Sequence, residues 1–164
     1  MKKRYVALIF CAIGLLLGSV TSEAKKKPSV TAESAIVMDV QSGAILYEKN
    51  IDKREYPASI TKVMTALVAI ENSSLSETVT YLRNAVTNLE SGASNIEIQP
   101  GEKLSMEDSL YAILLMSANE ACNGVAEHVA GSIDNFVAMM NQKAKELGCT
   151  GTHFANANGL WMSN

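Results

Sequence analysis

Ser59-Ile60-Thr61-Lys62 sets a hydroxyl and a primary amine three residues apart, so one helical turn would bring them onto the same face. A serine hydroxyl is a poor nucleophile until a base takes its proton, and a lysine desolvated enough to lose its own proton can act as that base. A helix N-terminus beside Ser59 would further favour negative charge developing there. The spacing alone does not single out this pair, because Ser22 and Lys25 repeat it. A second candidate group is Ser117-Ala118-Asn119. Asn119 could hold a substrate amide oxygen while Ser117 relays a proton towards a leaving amine, although a helix cap would use the same residue types.

The elements that must carry these side chains follow from periodicity. Ile60, Val63, Met64, Leu67 and Ile70 recur at helical spacing and predict a helix over 59–71, ended by Asn72-Ser73-Ser74. Ser105 with Asp108 resembles a capping box and opens a second helix through Met116. A third apolar-periodic stretch covers 120–130, which leaves Ser117 and Asn119 at the junction of two helices. Asp134 is expected to cap a fourth helix whose face carries Val137, Met140, Ala144 and Leu147, closed by Gly148. Upstream, apolar runs over 34–40 and 44–47 flank Gln41-Ser42-Gly43 and read as a β-hairpin. Val79 with Tyr81 and Ile96 with Ile98 alternate, so 77–103 is expected to form short strands and loops, broken at Gly92 and Pro100-Gly101. A hairpin followed by helices gives an α/β (α+β) class with helices packed on an antiparallel sheet.

Composition narrows the functions open to such a site. The 164 residues hold 14 Lys+Arg against 17 Asp+Glu, a net charge of −3, and are 48% hydrophobic. That suits one globular domain and is too apolar for intrinsic disorder. Nucleic-acid binding needs a concentrated basic excess and stacking aromatics, and only 5% of residues are aromatic. Lys2, Lys3 and Arg4 before an apolar run from Val6 to Leu17, then Ser22-Glu23-Ala24, read as a signal peptide over 1–24 followed by a basic linker over 25–33. The alternative is a retained membrane anchor. Cys11 lacks the small-residue context of a lipidated cysteine. Cys122 and Cys149 are expected to behave as small buried apolar residues, with a bridge between them left open because export permits it. The spacings of Cys122, His128, Cys149 and His153 match no zinc pattern, so no metal is expected.

The segment from Pro57 to Thr65, PASITKVMT, closely resembles the active-site segment of the serine D-alanyl-D-alanine carboxypeptidases of the S11 peptidase family. Gly101 to Ser105, Leu114 to Ala121, Phe136-Val137 with Met140-Asn141, Leu147-Gly148 and Phe154 to Leu160 follow in the family's order. The likeness runs from about residue 30 to 160, with Glu120 standing where the family often has Asp. Ser-x-x-Lys with Ser-Asp-Asn and Lys-Thr-Gly forms the signature set of penicillin-binding proteins and class A β-lactamases. The resemblance implies a β-lactamase/penicillin-binding-protein-like transpeptidase fold and removal of the terminal D-alanine from peptidoglycan stem pentapeptides, without cofactor or metal. It implies Ser59 as acyl-enzyme nucleophile, Lys62 as its proton acceptor, Ser117 and Asn119 as the second element, and backbone N–H groups at Ser59 and on a later strand as the oxyanion hole. Peptidoglycan stem peptide and acylating β-lactams are the partners implied, on the extracytoplasmic side of the membrane.

Lys-Thr-Gly does not occur in these residues, and Cys149-Thr150-Gly151 lacks the cation and comes too early. The expectation is therefore a partial catalytic domain over 34–164, incomplete at its C-terminus and slow or inactive by itself. Membrane association would then come only from a missing C-terminal segment or an uncleaved signal. Two other functions remain open: a serine β-lactamase, for which no water-activating group stands out, and a non-catalytic peptidoglycan- or penicillin-binding fragment.

Overall fold

Asp39 and Gly43 set the first turn of the chain, whose residues 28–87 and 89–160 are described by a computed structural model. The expected signal peptide, the start of the linker and Trp161 to Asn164 lie outside the described residues. The chain divides into two units, with the boundary in the sequence between Arg54 and Glu55. In the first unit, β1 (Ala35–Met38) pairs antiparallel with β2 (Ile45–Lys49), and the register shifts between Val37 and Met38. Asp39 Oδ1 accepts the Ser42 N–H at 2.8 Å and its carbonyl takes the Gly43 N–H at 2.9 Å, while Gly43 supplies the positive φ of 70° that closes the turn. The hairpin stands where the sequence puts it.

The second unit holds α1 (Thr61–Asn72), β3 (Thr78–Thr80), α2 (Arg83–Thr87), β4 (Lys103–Ser105), α3 (Met106–Leu115), α4 (Asn119–Ala130) and α5 (Ile133–Glu146). A 3₁₀ turn over Ala58–Ile60 leads into α1. β3 and β4 pair antiparallel with Val79 opposite Leu104, the only sheet of this unit among the described residues. This α+β architecture packs helices mainly on one another around α4, with a small sheet at one side. The loop expected between Val79 and Lys103 contains the extra helix α2, and Ile96 and Ile98 lie outside any strand.

Caps mostly follow the sequence. Ser105 Oγ accepts the Asp108 N–H at 3.0 Å at the start of α3. The start of α5 differs: Ser132, not Asp134, is the cap, its Oγ accepting the Asn135 N–H at 3.1 Å. Serine is extended there and reaches the N3 amide, which leaves Asp134 in the first turn where the helix dipole favours its charge. α5 buries Phe136, Met140 and Ala144, but Leu147 is exposed. No helix of the described residues is long and apolar enough to cross a membrane.

α4 is the core element, with Asn119 through Ala126 all buried. Gly124 lets it approach β3's neighbour Tyr81 closely: a Cβ there would sit 2.3 Å from two ring carbons. The ring cannot swing aside. It is fully buried and its hydroxyl is 2.7 Å from Ser109 Oγ, and burial pushes the phenol up to about 12. We expect Gly124→Ala to destabilise the protein by about 1–3 kcal/mol, despite alanine's better helix propensity, because overpacking outweighs it. A urea or thermal melt checks this, and an unchanged or raised stability would contradict it.

Candidate active site

Ser59 is exposed at the end of Pro57-Ala58, where Ala58 takes a left-handed φ of 48°. That conformation costs a non-glycine residue about 1–3 kcal/mol and persists only where the surroundings impose it. Because Ser59 lies in a 3₁₀ turn, residues three apart nearly eclipse, and Lys62 Nζ comes to 3.3 Å from Ser59 Oγ. The amine is buried with the rest of Lys62, which is 2% exposed. It donates to Asn119 Oδ1 at 2.8 Å and to the Asn158 carbonyl at 2.7 Å. Both are pure acceptors, so two of the amine's tetrahedral directions are spent as donors and the remaining one faces Ser59.

The second hydroxyl arrives from the junction of α3 and α4. Ser117 adopts φ 55°, a second left-handed non-glycine residue, and its Oγ donates to Ser59 Oγ at 3.0 Å. The Met116 and Ala118 N–H groups both bond to the Ala112 carbonyl, which ends α3 and aims the turn. Asn119 opens α4. Its Nδ2 and its backbone N–H both donate to the Ser94 carbonyl, at 2.8 and 3.0 Å, so the amide is oriented with its oxygen on Lys62. Ser59 and Lys62 on one chain segment and Ser117 and Asn119 on another are therefore gathered at one place.

Electrostatically the site favours a neutral amine. Burial holds Lys62 below the ordinary lysine value of 10.5. Cys122, one turn after Asn119 in α4, is fully buried, and that burial pushes its thiol up to about 12, so it brings no charge to the site at neutral pH. Cys149, expected to be buried, is exposed just past α5, because the helix ends at Glu146 and Gly148 turns the chain outward. Both thiols are free. His128 pairs instead with Glu77 at 2.9 Å, so the four-residue metal set considered above is not gathered.

Several supporting residues carried no role in the sequence reading. The 154–160 segment is built as a platform for Lys62. Asn141 brackets Phe154 through both its amide atoms at 2.8 Å, Thr65 Oγ1 donates to the Ala157 carbonyl at 2.6 Å, and Asn156 Oδ1 accepts the Gly159 N–H at 2.6 Å. Asn158 presents its carbonyl to Lys62 from this platform. The signal available was the density of Asn in Phe154 to Leu160, since a short carboxamide satisfies backbone groups in irregular chain.

Residues 21–164 match the D-alanyl-D-alanine carboxypeptidase family model, peptidase S11. The chain is 35% identical over 169 residues to the D-alanyl-D-alanine carboxypeptidase DacF of Bacillus subtilis (strain 168), covering 96% of this chain and 43% of that one. It is 38% identical over 141 residues to DacA of Escherichia coli (strain K12), covering 81% and 35%. A crystal structure of penicillin binding protein 6B from Escherichia coli superposes with a TM-score of 0.78 at 31% identity, covering 85% of this chain and 46% of that one. The D-alanyl-D-alanine carboxypeptidase of Mycobacterium tuberculosis H37Rv gives 0.77 at 34% identity, covering 85% and 51%. The chain spans less than half the length of DacF and DacA. With the Ser59–Lys62 pair assembled in the α+β fold of penicillin-binding proteins, the chain belongs to the peptidase S11 family of D-alanyl-D-alanine carboxypeptidases.

Proposed function

We propose that this chain carries the acylating centre of a serine D-alanyl-D-alanine carboxypeptidase acting on peptidoglycan stem pentapeptides. The observation that carries the reading is the Lys62 amine, held by two carbonyl-type acceptors with its third direction on Ser59 Oγ. In the neutral state that direction is a lone pair. As Ser59 Oγ bonds to the carbonyl carbon before the terminal D-alanine, its proton passes to Lys62 Nζ. The C–N bond then breaks, and the amine of D-alanine leaves with a proton relayed through Ser117. Water later hydrolyses the Ser59 ester. The Ser59 backbone N–H, in its tight turn, would supply one oxyanion donor, and the second N–H of Asn119 Nδ2 would hold a substrate amide oxygen. β-Lactams enter the same acylation. Export fits this substrate, and the signal peptide over 1–24 and linker over 25–33 stay part of the proposal.

The test is intact-mass analysis of the full-length protein after mixing with penicillin, with peptide mapping, alongside D-alanine release from a stem-pentapeptide analogue. A lasting adduct on Ser59 with D-alanine release supports the reading. Rapid penicillin turnover would point to a β-lactamase, and no adduct would overturn acylation altogether.

The depressed Lys62 also fixes a pH dependence. Acylation needs the neutral amine, so its rate rises with pH through the titration of Lys62, with a midpoint below 10.5. The same burial acts on stability. In the window between the depressed and ordinary values the unfolded chain binds more protons than the folded one, so stability increases as pH rises across it. Lys62→Met should flatten that slope. Acylation rates and melts measured against pH check both, and an acylation midpoint at or above the ordinary lysine value would refute the assignment.

A further inference from the structure

Glu120, in the first turn of α4, is 1% exposed, and a carboxyl group so buried is costly unless partnered. Its Oε1 accepts the Ile96 N–H at 2.6 Å, whereas Oε2 has no hydrogen-bond partner among the described residues. Glu120 borders a 480 Å³ cleft that has Val86 of α2 and Gly92, Asn95 and Ile98 of the following loop among its walls. Ile98 anchors the end of this loop in the core, while on the side of the cleft hydrogen bonds tie it to α4. Two consecutive residues of α4 supply them, since Asn119 holds the Ser94 carbonyl and Glu120 holds the Ile96 N–H two residues on. The Ser94 carbonyl is also what orients the Asn119 amide, whose oxygen holds Lys62.

We propose that Glu120 is a positioning residue for acylation: by gripping Ile96 it keeps Ser94 in place, which fixes Asn119 and through it the Lys62 amine. The inference rests on the reading of Ser59 and Lys62 given above. Without the grip, the loop opens into the cleft, the Asn119 amide loses the acceptor that sets its rotation, and water reaches Lys62. A hydrated amine holds its proton to higher pH, so acylation slows and its midpoint moves up.

The experiment measures penicillin acylation of the full-length protein against pH. Glu120→Ala is expected to slow acylation at neutral pH about tenfold or more and to raise the midpoint of the profile. Glu120→Gln keeps an oxygen for the Ile96 N–H and should recover most of the rate. Ile96→Pro removes the donor from the loop side, leaves α4 untouched and should reproduce the alanine profile. An effect on folding alone would change the fraction of active protein without moving the midpoint. A wild-type profile in Glu120→Ala, or a glutamine variant as slow as alanine, overturns the proposal. If Glu120→Ala does not fold, Ile96→Pro decides, and a wild-type profile there overturns it equally. Failure of the wild-type protein to acylate at Ser59 would instead show in the control and bring down the underlying reading.

Discussion

Lys62→Ala is expected to leave Ser59 as unreactive as Ser59→Ala leaves the site, each lowering the acylation rate by about 10⁴–10⁶-fold, with the double variant falling no further. Non-additivity follows from the geometry. On the proposed reading Ser59 Oγ meets one base, the Lys62 amine at 3.3 Å, which Asn119 and Asn158 hold in place. A nucleophile without its base gains little, and a base without its nucleophile has nothing to deprotonate. Ser117 also touches Ser59 Oγ, but a neutral hydroxyl cannot take the proton in place of an amine. Ser117→Ala should therefore cost less than either change. Single-turnover penicillin acylation of the full-length protein measures all four variants. Near-wild-type acylation by Lys62→Ala would remove the lysine from the mechanism, and losses that add would show two independent contributions.

The helices and the hairpin were legible because each carries its own local signal. Periodicity fixed α1, α3, α4 and α5 to within a residue or two, and the turn at Ser42-Gly43 fixed the hairpin. What lay beyond the sequence was which face α1 buries. Ile60 just before α1 and Val63 and Ile70 within it, apolar residues that reveal the helix, are exposed, while Thr61, Lys62 and Thr65 are buried with Ala66, Val68 and Ala69. The reason is the site itself: Lys62 and Thr65 must face the carbonyls of Asn158 and Ala157, and small alanines let α1 sit close to α4. A functional face thus overrides the hydrophobic one, and a periodicity argument has no means of seeing that. The Ser132 cap was hidden for a simpler reason, since two capping residue types stand two positions apart. For the candidate residues, Ser59, Lys62, Ser117 and Asn119 were identified through family likeness, and the fold brings them together. Ser94 and Asn158 contribute through backbone carbonyls, and such contacts leave no residue-type signature.

Gly159→Ala should be the most damaging change outside the reacting groups. Gly159 has φ 81°, a region alanine enters only with strain. Its missing side chain matters more than its flexibility: a Cβ would lie 2.0 Å from the Ala58 carbonyl oxygen and 2.9 Å from Thr61 Oγ1. Those contacts are backbone and the start of α1, so neither can yield without moving Ser59. The other way out is for the 156–160 segment to lift, and then the Asn158 carbonyl leaves Lys62. Strain and overpacking together put the cost at about 2–5 kcal/mol. The change therefore acts twice, on stability and on the amine. A melt should show the first effect. The second should appear as slower acylation in protein still fully folded at the assay temperature, since one of the two acceptors that direct Lys62 at Ser59 has gone. An alanine variant with unaltered melting and acylation would show that the close approach of Gly159 to Ala58 is not what holds the platform against the nucleophile.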